Sequence, residues 1–222
     1  METSITLTEI RQLFQTKANL TIAADKKGYM RNQFEFFGLQ NPPRKEILSI
    51  IIPKLSWKQI DWKLIDQLWK QPERELQYFA VDLLKHYVKL LKVSDLPKLK
   101  KLIETKSWWD TVDSLQKTVE YITSQNFDET KEIMLDWSKN ENMWVRRSAI
   151  IHQLLRKQKL KEELLTEILL NNFGSKEFFI NKAIGWALRD YSKTNPEYVR
   201  NFLKFYEKEL DNVSIREAKK YI

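Results

Sequence analysis

Cysteine is absent from this 222-residue sequence, and histidine occurs only twice, as His86 and His152. Without cysteine the chain cannot form a disulfide framework, a thiolate zinc site or a cysteine nucleophile. Two histidines that lie far apart in the sequence are also poor candidates for a metal site. The sequence therefore predicts a protein that works without a metal ion or another cofactor.

Glycine and proline are scarce as well, with four and six residues. Few hairpin turns can be built from so little glycine, whereas abundant leucine, isoleucine, lysine and glutamate favour helices. The composition predicts an all-α protein. Its length is sufficient for a single domain over residues 1–222 or for a continuous repeat array.

Long hydrophobic runs are also missing. No stretch approaches the roughly 20 apolar residues of a membrane-spanning helix, and the N-terminal METSITLTEIRQLF has no basic segment followed by an apolar one. A signal peptide needs both of those segments. We therefore expect a soluble, cytoplasmic protein with no membrane partner.

Acidic residues are outnumbered, since 30 Asp and Glu face 38 Lys and Arg and leave a net charge of +8. A basic balance favours a polyanionic partner such as nucleic acid. Lysine-rich proteins are also typical of low-GC bacterial genomes. The charge therefore needs support from specific residues before it indicates a function.

Capping residues and prolines predict the bounds of the helices. The predicted helices cover about residues 6–16, 23–37, 42–53, 56–70, 72–91, 94–106, the WWDTVD segment capped by Ser107, 127–139, 142–158, 160–172, 175–192, 196–209 and 214–222. The connections between them are short, which favours antiparallel neighbours.

Aromatic residues mark a repeat in this series of helices. They recur near the starts of apolar helices at intervals of about 35 to 40 residues, as Trp69, Trp109, Trp144 and Phe179. Helix pairs with this period are typical of a HEAT-like or armadillo-like α-solenoid, whose antiparallel helix pairs present a concave face. We predict this fold with a basic concave face; the alternative is a globular helical bundle.

The segment SWWDTVDS combines two tryptophans and two carboxylates on one predicted helix. One face of that helix is apolar and predicts core residues: Trp108, Val112, Leu115, Val119 and Ile122. Trp109 and Asp113 lie one turn apart on the neighbouring stripe, at the edge of the buried face. Because packing does not require this pair, it is a candidate for chemistry. Alternatively, Trp109 covers a seam and Asp113 is solvated.

Arg147 lies in the segment MWVRRSAI, on a helix that is apolar nearly all round. A guanidinium in such surroundings needs an anionic partner, because a buried unpaired charge is strongly destabilising. Asp113, one repeat earlier, would supply it, and the contact would hold the carboxylate in place and ionised. The alternative is that Arg147 reaches solvent and binds nothing.

Trp186 lies on the basic face of the predicted helix over residues 175–192. Lys182, Arg189 and Lys193 share that face at helical spacing. Cations interleaved with an indole suit a nucleic-acid backbone, with phosphates on the cations and a sugar or base on the ring. Alternatively, a neighbouring repeat covers Trp186.

Four segments together resemble the AlkD family of HEAT-like repeat alkylpurine DNA glycosylases: GYMRNQFEFFGLQNPPR, SWWDTVDS, MWVRRSAI and KEFFINKAIGWALRDYSKTNP. They occur in the same order and cover the chain from about Tyr29 to its C-terminus. The resemblance implies that four residues surround the damaged nucleotide: Trp109, Asp113, Arg147 and Trp186. It also implies contacts to the DNA backbone from Arg189 and Lys193, and from the early motif through Tyr29, Gln40, Asn41 and Lys45. The doubled proline Pro42-Pro43 departs from the family's early motif.

The lesions of that family are cationic N3- or N7-alkylated purines, such as 3-methyladenine and 7-methylguanine. The resemblance implies hydrolysis of their N-glycosidic bond in double-stranded DNA, by a monomer in the bacterial cytoplasm and nucleoid, with an abasic site as product. Asp113 would face the positive charge that develops on the deoxyribose, and Trp109 and Trp186 would offer their ring faces to it. Because WWDTVD contains no lysine for a Schiff base, a monofunctional glycosylase is expected.

Two other functions remain open at this point. A non-catalytic HEAT-repeat protein could bind damaged or branched DNA; it would need the basic face but not Trp109, Asp113 and Trp186 together. A protein-binding solenoid would have no use for the line of cations around Trp186.

Overall fold

The computed structural model describes residues 5–222. Residues 1–4, part of the segment that argues against a signal peptide, lie outside the described range. The chain divides into two compact units, one ending at Leu91 and one covering Lys92–Ile222. In both units, the described residues contain no β-strand, and one isolated parallel bridge joins Glu35 to Glu73. The single domain over residues 1–222 and its concave basic face stay predictions.

The regular secondary structure in the described part of the first unit is helical. Its α-helices are α1 (Leu7–Gln15), α2 (Leu20–Tyr29), α3 (Asn41–Ile51), α4 (Trp62–Lys70) and α5 (Arg74–His86), with 3-10 turns at Ile52–Lys54 and Val88–Leu90. Helix α1 begins where the sequence predicts, because Thr6 and Glu9 form a reciprocal capping box. Fully buried side chains such as Phe14 and Phe79 form the core.

The predicted second helix, from Ala23 to Phe37, is wrong at both ends. Helix α2 begins at Leu20, after Asn19 accepts a hydrogen bond from the backbone N–H of Ile22 at 3.0 Å. It ends at Tyr29, and two residues further on, Arg31 and Asn32 have φ angles of 55° and 58°. A left-handed backbone cannot continue a right-handed helix. Helix α4, in contrast, starts later than predicted, at Trp62 rather than near Ser56.

The segment between α2 and α3 is held by a buried carboxylate on α5. Glu75 accepts hydrogen bonds from the backbone N–H groups of Phe37, Gly38 and Leu39, each at 3.0 Å. Gly38 has a φ of 87°, and a Cβ there would collide with the backbone of Asn19. Charge-assisted bonds of this kind are the strong ones. They fix the chain that leads into α3.

The second unit is a series of packed helix pairs. Its α-helices are α6 (Leu96–Glu104), α7 (Trp109–Gln125), α8 (Phe127–Ser138), α9 (Met143–Ile151), α10 (Glu162–Leu170), α11 (Phe178–Ser192), α12 (Pro196–Tyr206) and α13 (Asn212–Ala218), with 3-10 turns at Val93–Asp95, Lys157–Lys159, Glu207–Glu209 and Lys219–Tyr221. Helix α9 packs against α7 and α11, and α11 also packs against α13. None of the helices in residues 5–222 combines the length and the apolar character needed to cross a membrane.

The apolar face of α7 agrees with the predicted core. Val112, Leu115, Val119 and Ile122 have no exposed surface. Trp108 instead occupies the N-cap position and is half-buried. The predicted cap, Ser107, donates its hydroxyl to the carbonyl of Ile103 at 2.6 Å and so does not cap α7. Helix α9 ends at Ile151 rather than near residue 158, since Leu155 has a φ of 67°.

Candidate active site

The starts of α7, α9 and α11 meet in an aromatic cluster. The ring centroids of Trp108, Trp144 and Phe179 lie 5.0 to 5.8 Å from one another. Aromatic pairs at such distances and tilted orientations are mutually stabilising. The cluster therefore fixes the relative positions of the three helices that carry the predicted site residues.

Arg147 makes the contact with Asp113 that the sequence predicts. Its Nε donates to Oδ1 of Asp113 at 2.8 Å, and its Nη2 donates to Oδ2 at 2.7 Å. This bidentate geometry is typical of a guanidinium on an ionised carboxylate. The Arg147 side chain is only 4% exposed, so the alternative in which it reaches solvent is wrong.

A third contact of Arg147 joins α9 to α11. Its Nη1 donates to the carbonyl oxygen of Phe179 at 2.6 Å. The guanidinium carbon also lies 5.9 Å from the ring centroid of Trp186. Arg147 thus contacts Asp113 on one neighbouring helix and Trp186 on the other, so the structure brings these three predicted residues together.

The two tryptophans of the predicted site are both half-buried. Trp109 is the first residue of α7 and lies one turn before Asp113. Trp186 lies in the third turn of α11, where its neighbours Gly185 and Ala187 are buried. Each indole therefore retains surface for a ligand near a carboxylate that is itself 19% exposed.

Burial raises the pKa of Asp113 above its ordinary value. The hydrogen bonds and the charge of Arg147 act in the opposite direction, and the nearby carboxylate of Asp110 adds a smaller increase. The predicted effect of Arg147, to favour the ionised form, is present, but burial outweighs it. The sequence pattern placed Asp113 only at the edge of the apolar face and so did not indicate how deeply it is buried.

The predicted cations on α11 have partners that the sequence analysis missed. Lys182 and Arg189 both pair with the carboxylate of Glu217 on α13, the first with an Nζ–Oε1 distance of 2.6 Å. The Nζ of Lys193 lies 4.7 Å from the ring centroid of Tyr221. These contacts tie the basic face of α11 to the C-terminal segment.

The early-motif candidates all lie in the first unit and are all exposed. Tyr29 ends α2, Gln40 precedes α3, and Asn41 and Lys45 belong to its first turns. Asn41 accepts a hydrogen bond from Arg44 at 3.2 Å. Prolines at positions 42 and 43 carry no N–H, so the start of α3 offers few backbone donors to an anion. The DNA contacts assigned to these residues stay predictions.

The second unit thus combines a carboxylate, a guanidinium and the half-exposed indole of Trp186 at one place, and Trp109 lies one turn before the carboxylate on the same helix. These groups can stabilise positive charge and stack on planar or sugar surfaces. Within residues 5–222, no group of three or more histidine, aspartate or glutamate side chains is arranged to hold a metal ion.

A family model described as DNA alkylation repair enzyme matches residues 10–222. The chain belongs to this family. Among solved structures, it is similar to a predicted DNA alkylation repair enzyme from Enterococcus faecalis, with 34% identity and a TM-score of 0.84. The match covers 92% of this chain and 96% of that one. The resemblance that the four sequence segments indicate is therefore confirmed at the level of the DNA alkylation repair family.

Two solved structures from Streptococcus mutans share the fold of this chain. AlkD2 is 18% identical with a TM-score of 0.66, over 89% of this chain and 98% of that one. The protein smu.31 is 17% identical with a TM-score of 0.61, over 91% and 98%. Both comparisons confirm the predicted all-α helical repeat fold. A search of curated proteins finds no significant match.

Proposed function

We propose that this DNA alkylation repair protein is a monofunctional glycosylase. It hydrolyses the N-glycosidic bond of N3- or N7-alkylated purines in duplex DNA, as a monomer in the bacterial cytoplasm. The observation that carries the proposal is the carboxylate of Asp113, fixed by two hydrogen bonds from Arg147 beside Trp186. This arrangement suits a reaction whose transition state is positively charged.

The proposed reaction breaks the bond between C1′ of the deoxyribose and the purine nitrogen. The bonding electrons leave with the base, which becomes neutral because alkylation had made it cationic, and the sugar becomes an oxocarbenium ion. A water molecule then adds to C1′ and loses a proton. No general acid is required, because the base leaves without protonation.

Asp113 stabilises the sugar cation and orients the attacking water in this proposal. Arg147 occupies one acceptor site on each carboxylate oxygen, and each oxygen retains a second. Trp109 and Trp186 supply ring faces to the sugar and the charged base, worth about 0.5–2 kcal/mol each. Arg147 acts through Asp113, whose orientation it sets.

Base release is the direct test. Methylated duplex DNA is incubated with stoichiometric protein in the presence of a chelator, and the released bases are separated by chromatography. We expect 7-methylguanine or 3-methyladenine above the spontaneous rate. Intact DNA binding without base release would instead favour the second candidate, a non-catalytic protein that binds damaged or branched DNA through its basic residues.

The pH dependence of base release should report the environment of Asp113. Only the ionised carboxylate stabilises a cation, and burial raises its pKa, so activity should fall on acidification at a higher pH than an ordinary aspartate would impose. Arg147→Lys removes the bidentate contact that favours the ionised form, so the loss of activity on acidification (the acid limb) should move to a still higher pH. Single-turnover release, corrected for spontaneous depurination, measures both profiles. Identical acid limbs for the two proteins would contradict the assignment.

The basic face of α11 should contribute to binding of undamaged duplex. Replacing Arg189 and Lys193 together by alanine is expected to lower the slope of log K against log salt by about one to two, at about 0.9 for each lost phosphate contact. Titrations of a labelled duplex at several salt concentrations measure the slope. An unchanged slope would mean that this face does not meet DNA.

A further inference from the structure

Glu217 is a buried anion among three cations. The residue is 2% exposed, and its Oε1 lies 2.6 Å from Nζ of Lys182 and 2.9 Å from Nζ of Lys220. Its Oε2 accepts a hydrogen bond from Arg189. We call Lys182, Arg189, Glu217 and Lys220 the Glu217 cluster. The cluster joins α11 to the C-terminal segment of the chain.

The backbone holds Glu217 in place through a close approach of two helices. A Cβ at Gly185 would lie only 2.6 Å from the Cβ of Glu217, so α13 can pack this tightly only against glycine. One turn before Glu217, Ser214 donates its hydroxyl to the carbonyl oxygen of Asn181 at 2.7 Å. The position of the carboxylate is therefore fixed from both helices.

The cluster keeps an excess of positive charge. Three cations surround one anion, which leaves a net charge of +2. The side chains of Lys182, Arg189 and Lys220 are 37%, 25% and 46% exposed. A lysine has three N–H donors and an arginine has five, so contacts to one carboxylate leave donors for a second anion.

The three cations of the cluster favour the ionised form of Glu217. The hydrogen bond from Lys182 is the largest cause, and together with the other two cations it outweighs burial and lowers the pKa of Glu217 to about 2. Lys182 and Arg189 also bracket Trp186, one turn before and one turn after it on α11. The cluster thus lies beside one of the residues of the proposed site.

We propose that Glu217 is a positioning residue for DNA binding, which aligns the three cations of the cluster so that their remaining N–H groups bind backbone phosphates beside Trp186. In this arrangement Lys220 is an additional phosphate contact. The inference rests on the proposed function for its ligand, duplex DNA.

The direction in which DNA affinity changes when Glu217 loses its charge distinguishes a positioning role from an effect of net charge alone. If the cations acted only through net charge, removal of the Glu217 charge would strengthen DNA binding. If Glu217 aligns them, its removal lets like charges move apart and weakens binding although the protein becomes more positive. Glu207 is a matched control, since it pairs with Lys219 and both side chains are about half exposed.

The test compares Glu217→Gln with Glu207→Gln in titrations of undamaged duplex at about 0.15 M salt. We expect Glu207→Gln to bind within about twofold of the parent, or slightly more tightly. Glu217→Gln should bind about five- to tenfold more weakly, and its salt slope should fall by about one. Binding by Glu217→Gln that is as tight as by Glu207→Gln would overturn the positioning role.

A second pair remains informative even if Glu217→Gln folds poorly, because it changes only exposed, adjacent residues. Lys220→Ala should lower the salt slope by about 0.9, whereas Lys219→Ala should change it by less than half as much. Equal slopes for the two would overturn the cluster as a phosphate site. Base release by the parent protein is measured in parallel. A parent that binds duplex without releasing base refutes the glycosylase and leaves this comparison valid; a parent that binds no duplex refutes both.

Discussion

Asp113→Asn is expected to slow base release by about two orders of magnitude or more, while duplex affinity barely changes. Asparagine preserves the shape of the side chain and one acceptor for Arg147, but it removes the charge that stabilises the sugar cation. That charge acts mainly in the transition state, so the loss should appear in the rate and not in binding. Single-turnover release with excess protein and a separate duplex titration measure the two quantities.

Glu120→Gln is the matched control for that substitution. Glu120 also lies on α7, and it pairs with Arg156, whose side chain is 5% exposed. Both variants therefore deprive a nearly buried arginine of a charged partner on the same helix. We expect Glu120→Gln to release bases at close to the parental rate. Similar losses in both variants, or a parallel loss of binding and activity in Asp113→Asn, would assign Asp113 a structural role.

Trp186→Ala is expected to lower the rate of base release by about two- to thirtyfold, because it removes a ring contact worth about 0.5–2 kcal/mol from the proposed site. Trp186 is only half-buried. Its loss should therefore change the free energy of unfolding by well under the ~3–5 kcal/mol that is typical of an emptied core tryptophan site. Denaturant unfolding and single-turnover release on the same preparation give both values.

Trp137→Ala is the control for Trp186→Ala, because Trp137 is a buried core tryptophan. It lies on α8 and is 3% exposed, so Trp137→Ala should destabilise the protein strongly and leave the turnover of the folded fraction near normal. A Trp186→Ala variant that behaves in this way would place Trp186 in the core and remove it from the proposed site.

The contact between Asp113 and Arg147 could be predicted because both residues follow local rules. A 3.6-residue period places Asp113 at the edge of a buried face, and the repeat length places Arg147 on the next packed helix. Glu75 and Glu217 have partners at similar distances along the chain, in the segment between α2 and α3 and on α11, but no repeated motif indicated which residues these would be. The sequence did contain a signal that both carboxylates are buried, because each occupies a core position of its helix. Glu75, for example, lies on the same face of α5 as Phe79 and Leu83.

The error in α2 has a different physical origin. From the sequence, Gly38 is interpreted as the end of this helix. In the structure it lies in the loop between α2 and α3, where its φ of 87° and its close approach to Asn19 require glycine. The helix ends at Tyr29 because Arg31 and Asn32 adopt left-handed conformations, which arginine in particular rarely does. Tertiary contacts from Glu75 hold that segment away from a helix, and local sequence preference does not report them.

The three hydrogen bonds of Arg147 also bear on how this unit opens in the native state. In a repeat array, each helix pair is stabilised by its immediate neighbours, and the ends tend to fray first. Arg147 binds Asp113 on the preceding pair and Phe179 on the following one, so separating either neighbour leaves a buried charge with unmet hydrogen bonds. Fraying from the C-terminus should therefore stop before α11. The amides around Arg147 should be among the slowest of this unit to exchange with solvent.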